Sequence, residues 1–139
     1  MDLRLELVVV PVSDVERAKA FYESLGFDVD VDFKAGDEFR VVQLTPPGSA
    51  CSITIGKGVT EAEPGSTKNL HLVVTDIDAA HAYFVERGID ITEVRHFDEG
   101  KWVPGPDPAG QPFGSFAFFS DPDGNTWALQ QGMPDGARA

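Results

Sequence analysis

Cysteine is almost missing from this sequence. Cys51 is the single thiol in 139 residues, so no internal disulfide can form. A chain of this length buries roughly 68–70% of its extended-chain surface and can fold without a cross-link or a metal. A lone thiol suits a reducing, cytoplasmic compartment. Long apolar runs are missing too: stretches such as residues 7–10 fall far short of a bilayer span. The opening Met1-Asp2-Leu3-Arg4-Leu5-Glu6 has early acids and no small-residue cleavage site, unlike a secretory leader. No membrane partner is expected. Basic residues are scarce, with 11 Lys and Arg against 23 Asp and Glu, a formal charge of −12. Such a field repels phosphate backbones, which argues against nucleic acid. It attracts cations, although solubility alone explains it as well.

What is present is a repeat. Placing Asp14 over Asp76 gives an offset of 62 residues that holds without a gap. Ala18 then meets Ala80, Phe21 meets Tyr83, Tyr22 meets Phe84, Gly26 meets Gly88 and Asp28 meets Asp90. Small, aromatic, glycine and acidic positions rarely coincide by chance in one register. Each copy begins with a β-branched strand, residues 5–12 and 70–74. Ser13-x-x-Glu16 and Thr75-x-x-Asp78 then offer a helix cap with an acid in the first turn. Val15, Ala18, Tyr22 and Leu25, and likewise Ile77, Ala80 and Phe84, recur at helical spacing as a core stripe. Gly26 and Gly88 stand where helices end in a left-handed residue.

Further strands are expected over residues 28–34, 39–45 and 51–56, and in the second copy over 90–97, 115–120 and 126–131. Asp121-Pro122-Asp123-Gly124-Asn125 supplies the last turn. Residues 59–68 read as a linker. The chain thus divides into module one at about 3–58, module two at about 69–132, and a tail at 133–139, within one domain. The expected class is α+β, with two tandem β-α-β-β-β modules. Residues 98–114 break the symmetry with four prolines, and also carry Trp102 and Phe113. Long loops inside compact domains are usually functional. A lid or pocket wall is expected here, with a dimer contact as the rival.

The paired modules, the Val-Ser-Asp helix start, the Ala-x-x-Phe-Tyr…Leu-Gly-Phe helix end and the Asp-Pro-Asp-Gly-Asn turn resemble the vicinal oxygen chelate superfamily. That family includes glyoxalase I, extradiol dioxygenases, fosfomycin-resistance enzymes and bleomycin-binding proteins. The resemblance spans about residues 3–131 and implies curved mixed sheets around a cavity, helices outside, often completed in a homodimer. It also implies where metal ligands belong: seven residues before each helix-start Asp, and seven after the first Asp of the turn motif. Those positions hold Leu7, Asn69 and Ala128, and the remaining one falls near Ser52 or Thr54. Leu, Asn and Ala do not replace His, His and Glu, because a divalent ion needs several fixed donors. The expectation is no metal and no cofactor.

Three histidines remain. His71 lies two residues from Asn69 and, by strand alternation, faces the implied cavity. It is a candidate general base or ligand contact, with a satisfied core histidine an equal alternative. His81 reads as structural, and nothing in the sequence fixes the side of His96. Trp127 and Leu129 should pack under a helix, whereas Thr126 and Gln130 share Ala128's side. Cys51 has no partner base and reads as a small buried hydrophobe. The resulting candidate ligand site is Leu7, Asn69, His71, Trp102, Phe113, Thr126, Ala128 and Gln130. It suits an apolar or aromatic small molecule, and the acidic charge is compatible with a cationic one. The expected function is metal-free binding and sequestration of the bleomycin-resistance type, in a homodimer. The alternative is a lyase or isomerase of glyoxalase or dioxygenase type, with a rebuilt metal site or His71 as general base.

Overall fold

The computed structural model describes residues 1–134. Of the expected tail, residues 135–139 lie outside the described residues. The chain forms two compact units: Met1–Thr67 with Asp121–Asn125, and Lys68–Ser120 with the segment from Thr126 onward.

Unit 1 holds β1 (Leu7–Val9), α1 (Val15–Ser24), β2 (Asp28–Ala35), β3 (Phe39–Thr45) and β4 (Ser52–Lys57). Its sheet runs β1-β4-β3-β2, with β1 parallel to β4 and the other pairs antiparallel. Unit 2 repeats the plan with β5 (Leu70–Val74), α2 (Ile77–Glu86), β8 (Ser115–Ser120) and β9 (Thr126–Gln131). β6 (Arg95–Asp98) takes the place of β2, antiparallel to β8, and one added strand, β7 (Lys101–Pro104), extends the sheet to the order β5-β9-β8-β6-β7. The class is α+β with two mixed sheets, as the repeat implies. Among the described residues, no helix is long and apolar enough to cross a membrane.

The helices begin one residue later than the capping reading places them. Asp14 and Asp76 are the N-caps, their carboxylates accepting from the amides of Arg17 and Ala79 at 3.1 Å. A carboxylate both accepts this bond and complements the helix dipole, which a Ser or Thr hydroxyl does less well. Gly26 and Gly88 follow the two helices at φ 94° and 75°, the left-handed conformation that ends a helix at least strain in glycine.

Each helix covers one face of its sheet. In unit 1 the core is Val10, Ala18, Tyr22, Leu25, Phe27, Val42, Leu44, Ile53 and Ile55. In unit 2 it is Ile77, Phe84, Val94, Ala117, Phe119, Trp127 and Leu129. Tyr22 and its repeat partner Phe84 differ by one hydroxyl, and that hydroxyl has a buried partner. Tyr22 Oη donates to Asp121 Oδ2 at 2.7 Å, and Asn125 Nδ2 donates to the same oxygen at 2.8 Å. Asp121 Oδ1 accepts the amides of Asp123 and Asn125. Asn125 Nδ2 also reaches the Pro11 carbonyl, and its Oδ1 accepts from the Thr67 amide. The Asp-Pro-Asp-Gly-Asn turn is therefore an internal latch of unit 1. Phe84 has no hydroxyl and packs edge-on against Phe119 at 5.0 Å.

Two expected features change. The strand expected over 90–97 is interrupted: Ile91 makes an isolated bridge to Phe119, and the regular strand begins only at Arg95. The segment 98–114 is not all loop. Lys101–Pro104 folds back on Arg95–Asp98 as an edge strand, because Glu99 and Gly100 at φ 48° and 82° make a two-residue hairpin turn. Only residues 105–114 remain irregular.

Candidate functional site

Alternation along the strands of unit 2 sorts side chains onto two faces. Trp127, Leu129, Ala117 and Phe119 face α2. The other face carries His71 beside Ala128, with Phe118 on Ala128's far side, and Gln130 beside Phe116. Phe97 and Trp102, paired across the β6–β7 hairpin, extend it. The rings form one connected cluster. Trp102 stands edge-on to Phe116 and Phe118, both at 5.3 Å, and Phe97 meets it at 5.2 Å. Phe116 and Phe118 lie parallel, with centroids 6.1 Å apart. Edge-to-face geometry is what ring quadrupoles favour. Trp102 nevertheless keeps 46% of its surface exposed and Phe97 58%. Large aromatic surface held in place but not covered is the kind found in ligand grooves and in protein–protein contacts.

The polar side of this face is a relay. His71 Nδ1 lies 2.9 Å from Gln130 Oε1, and Gln130 Nε2 donates to the Phe113 carbonyl at 3.0 Å. The Phe113 amide donates to the Gln131 carbonyl at 2.7 Å. These bonds hold Phe113 at φ 65°, a conformation costly for a bulky side chain and most often retained near functional sites. Gly132 lets the segment approach: a Cβ there would stand 2.5 Å from Val73 Cγ1. His71 is exposed, with Phe116 edge-on at 6.2 Å.

The expected site residues are thus partly assembled. His71, Gln130 and Phe113 are joined by hydrogen bonds, Trp102 joins them through Phe116, and Ala128 lies beneath His71 and Phe118. Asn69 departs from the expectation. It precedes β5 at φ 63°, so strand alternation does not carry from His71 to it. Its amide donates to Thr126 Oγ1 at 2.8 Å, which engages the Thr126 hydroxyl in the backbone. Leu7 is half-buried at the start of β1 in unit 1. Phe97, Phe116 and Phe118 were not among the expected residues. The signal for Phe116 and Phe118 is the Phe-x-Phe spacing of β8, whose phase the Ala128–Gln130 side fixes, whereas Phe97 in β6 has no such signal.

The other two histidines hold backbone. His81 Nε2 pairs with the Thr92 carbonyl at 3.0 Å, and His96 Nδ1 with the Gly105 carbonyl at 2.8 Å. The family's metal does not fit the positions that would hold it. Leu7 and Ala128 have no donor, and the Ser52 hydroxyl is hydrogen-bonded to Thr45 Oγ1 at 2.6 Å. Thr54 Oγ1 is buried without a partner among the described residues. No group of three or more His, Cys, Asp or Glu among the described residues is placed to hold a metal.

Unit 1 has a cleft of about 700 Å³ lined by Ser13, Glu16, Lys34, Arg40 and Lys57, among others. Its best-placed cation is already paired: Arg40 bonds Asp32 through Nε and Nη2, at 3.0 and 2.9 Å, and also bonds Glu16. Lys19 adds a 2.9 Å bond to Asp32. The bonds from Arg40 and then Lys19 hold the Asp32 carboxyl well below the usual carboxylate range. This cluster is a structural tie between α1 and the β2–β3 edge.

The sequence over residues 4–129 matches the model of the Glyoxalase/Bleomycin resistance protein/Dioxygenase superfamily. The chain belongs to that superfamily. Among solved structures it is similar to TnmS3, an antibiotic binding protein from Streptomyces sp. CB03234. The two share 36% identity over 94% of this chain and 97% of that one, with a TM-score of 0.71. A glyoxalase/bleomycin resistance protein from the same organism is also 36% identical, over 92% and 100% of the two chains, at 0.68. A superfamily member from Sphaerobacter thermophilus DSM 20745 is 30% identical over 94% and 98%, at 0.69. A comparison with curated proteins finds no significant match.

Proposed function

We propose that this superfamily member is a metal-free, cytoplasmic small-molecule-binding protein of the sequestering, resistance type, with an aromatic ligand. The observation that carries the reading is the aromatic face of unit 2. Trp102, Phe97, Phe116 and Phe118 form a fixed but open apolar surface beside one hydrogen-bonding group, His71. Small-molecule sites combine apolar walls with few oriented polar groups in this way. The likeness to an antibiotic binding protein supports it. Binding is completed in a homodimer, a reading supported by further exposed apolar side chains, Val31, Phe33 and Phe39, on unit 1.

Replacing Trp102 tests the reading. Covering its ring with a ligand is worth about 1.5–3 kcal/mol. Trp102→Ala should therefore weaken 2-methoxynaphthalene, measured by equilibrium dialysis, by about tenfold or more. Unchanged affinity in a folded variant would sink the assignment. An oriented imidazole also supports a second reading, a lyase or isomerase using His71 as general base. Turnover of a screened ligand that vanishes in His71→Ala would move the assignment there.

A further inference from the structure

A backbone carbonyl decides the proton positions of the His71 relay. The Phe113 oxygen can only accept, so the Gln130 atom 3.0 Å from it is Nε2. That turns Gln130 Oε1 toward His71, where it lies 2.9 Å from Nδ1. Oε1 can also only accept, so Nδ1 carries the proton. A neutral imidazole has one N–H, and its second nitrogen then presents a lone pair in the ring plane. In His71 that atom is Nε2. Among the described residues no hydrogen bond reaches it, and the nearby Phe116 ring offers no conventional donor. Residue 130 is Gln and not Glu, so the tautomer is fixed by a neutral group.

We infer that His71 Nε2 is a directed hydrogen-bond acceptor that selects phenolic aromatics over the same rings lacking a hydroxyl. The inference rests on the aromatic-ligand reading above and gives it a substrate class. A phenol O–H lies in the plane of its ring. A ligand packed against Trp102 and Phe118 can thus donate sideways to an imidazole at the margin of the cluster. Gln130 and the Phe113 carbonyl are positioning groups, acting on the ligand only through His71.

The test uses 2-naphthol and 2-methoxynaphthalene, which share ring and oxygen but differ in the donor. Wild-type protein should favour 2-naphthol by about tenfold, the discrimination expected of one oriented neutral hydrogen bond. His71→Phe should still bind both, with the ratio falling to about one. Gln130→Leu should reduce the ratio without abolishing binding. Independently of any ligand, nitrogen-15 NMR of the imidazole should show a pyrrole-type Nδ1 and a pyridine-type Nε2. Equal wild-type affinities for the pair, or an Nε2–H tautomer, would overturn the selectivity and leave the aromatic-ligand reading standing. Binding of neither naphthalene would remove both.

Discussion

Trp127 is 3% exposed and stacked at 6.0 Å on Phe119, whereas Trp102 keeps 46% of its surface open on the opposite face. The two should respond oppositely to truncation. Trp127→Ala removes a core ring and should lower unfolding free energy by about 3–5 kcal/mol, read by denaturant titration. Its effect on ligand affinity per folded molecule should be small. Asn125 makes a second residue-scale case. It is 0% exposed, and its amide answers Asp121, Pro11 and Thr67 together. Asn125→Ala leaves buried groups unpaired at about 1–3 kcal/mol each. A loss below 1 kcal/mol would show that the latch contributes little. At this scale the sequence was informative where packing is periodic, as with Trp127 and Leu129. It was silent on the latch, since nothing in Asp-Pro-Asp-Gly-Asn announces that its partner is Tyr22, 99 positions away.

Among the elements, the β6–β7 hairpin was the least legible. Four prolines in residues 98–114 favour an irregular segment, and Lys-Trp-Val-Pro is too short to display a period. An edge strand tolerates the terminal proline because its outer amides need no partner. The turn is also poorly encoded. Glu99 occupies a left-handed position, which disfavours most L-residues by roughly 1–2 kcal/mol but is tolerated by Asn. Glu99→Asn should accordingly raise the melting temperature. A decrease would mean that Glu99 has a role in the hairpin beyond its turn. In unit 1 the β2–β3 edge is tied to α1 through Asp32. Its carboxyl is held low by Arg40 and Lys19, so its folded pKa lies below its unfolded one. The associated stability is present above the unfolded value, near pH 4, and is lost as pH falls from there through the folded value. Asp32→Asn should flatten this acid limb of a stability–pH profile. The change should be shallow, because exposed ion pairs contribute about 0–1 kcal/mol.

For the molecule as a whole, the repeat carried most of the architecture. An offset of 62 residues aligns β1 with β5 and α1 with α2, and the same parallel pairing recurs in each unit. The departures are insertions into the second copy, where no template existed to read them against. Both units leave large apolar side chains open, Phe33 at 52% and Phe97 at 58% among them. Surface of that kind on both sheets should drive self-association. Sedimentation at micromolar concentration should show a dimer, and a monomer would count against completion of the site by a second copy.

The membership of the Asp121–Asn125 turn in unit 1 has a consequence for synthesis. A ribosome delivers Met1–Thr67 early, with Tyr22 already committed to the α1 face, but the carboxylate that accepts its hydroxyl arrives more than fifty residues later. Until then the first module lacks the hydrogen bond from Tyr22 Oη to Asp121. The last hydrogen bond of the Tyr22 packing, worth about 1.5–3 kcal/mol to a charged acceptor, therefore waits on the later half of the chain. The half made first is finished last, and a nascent chain halted before Asp121 holds an incomplete module exposed to proteases and chaperones for as long as the pause lasts.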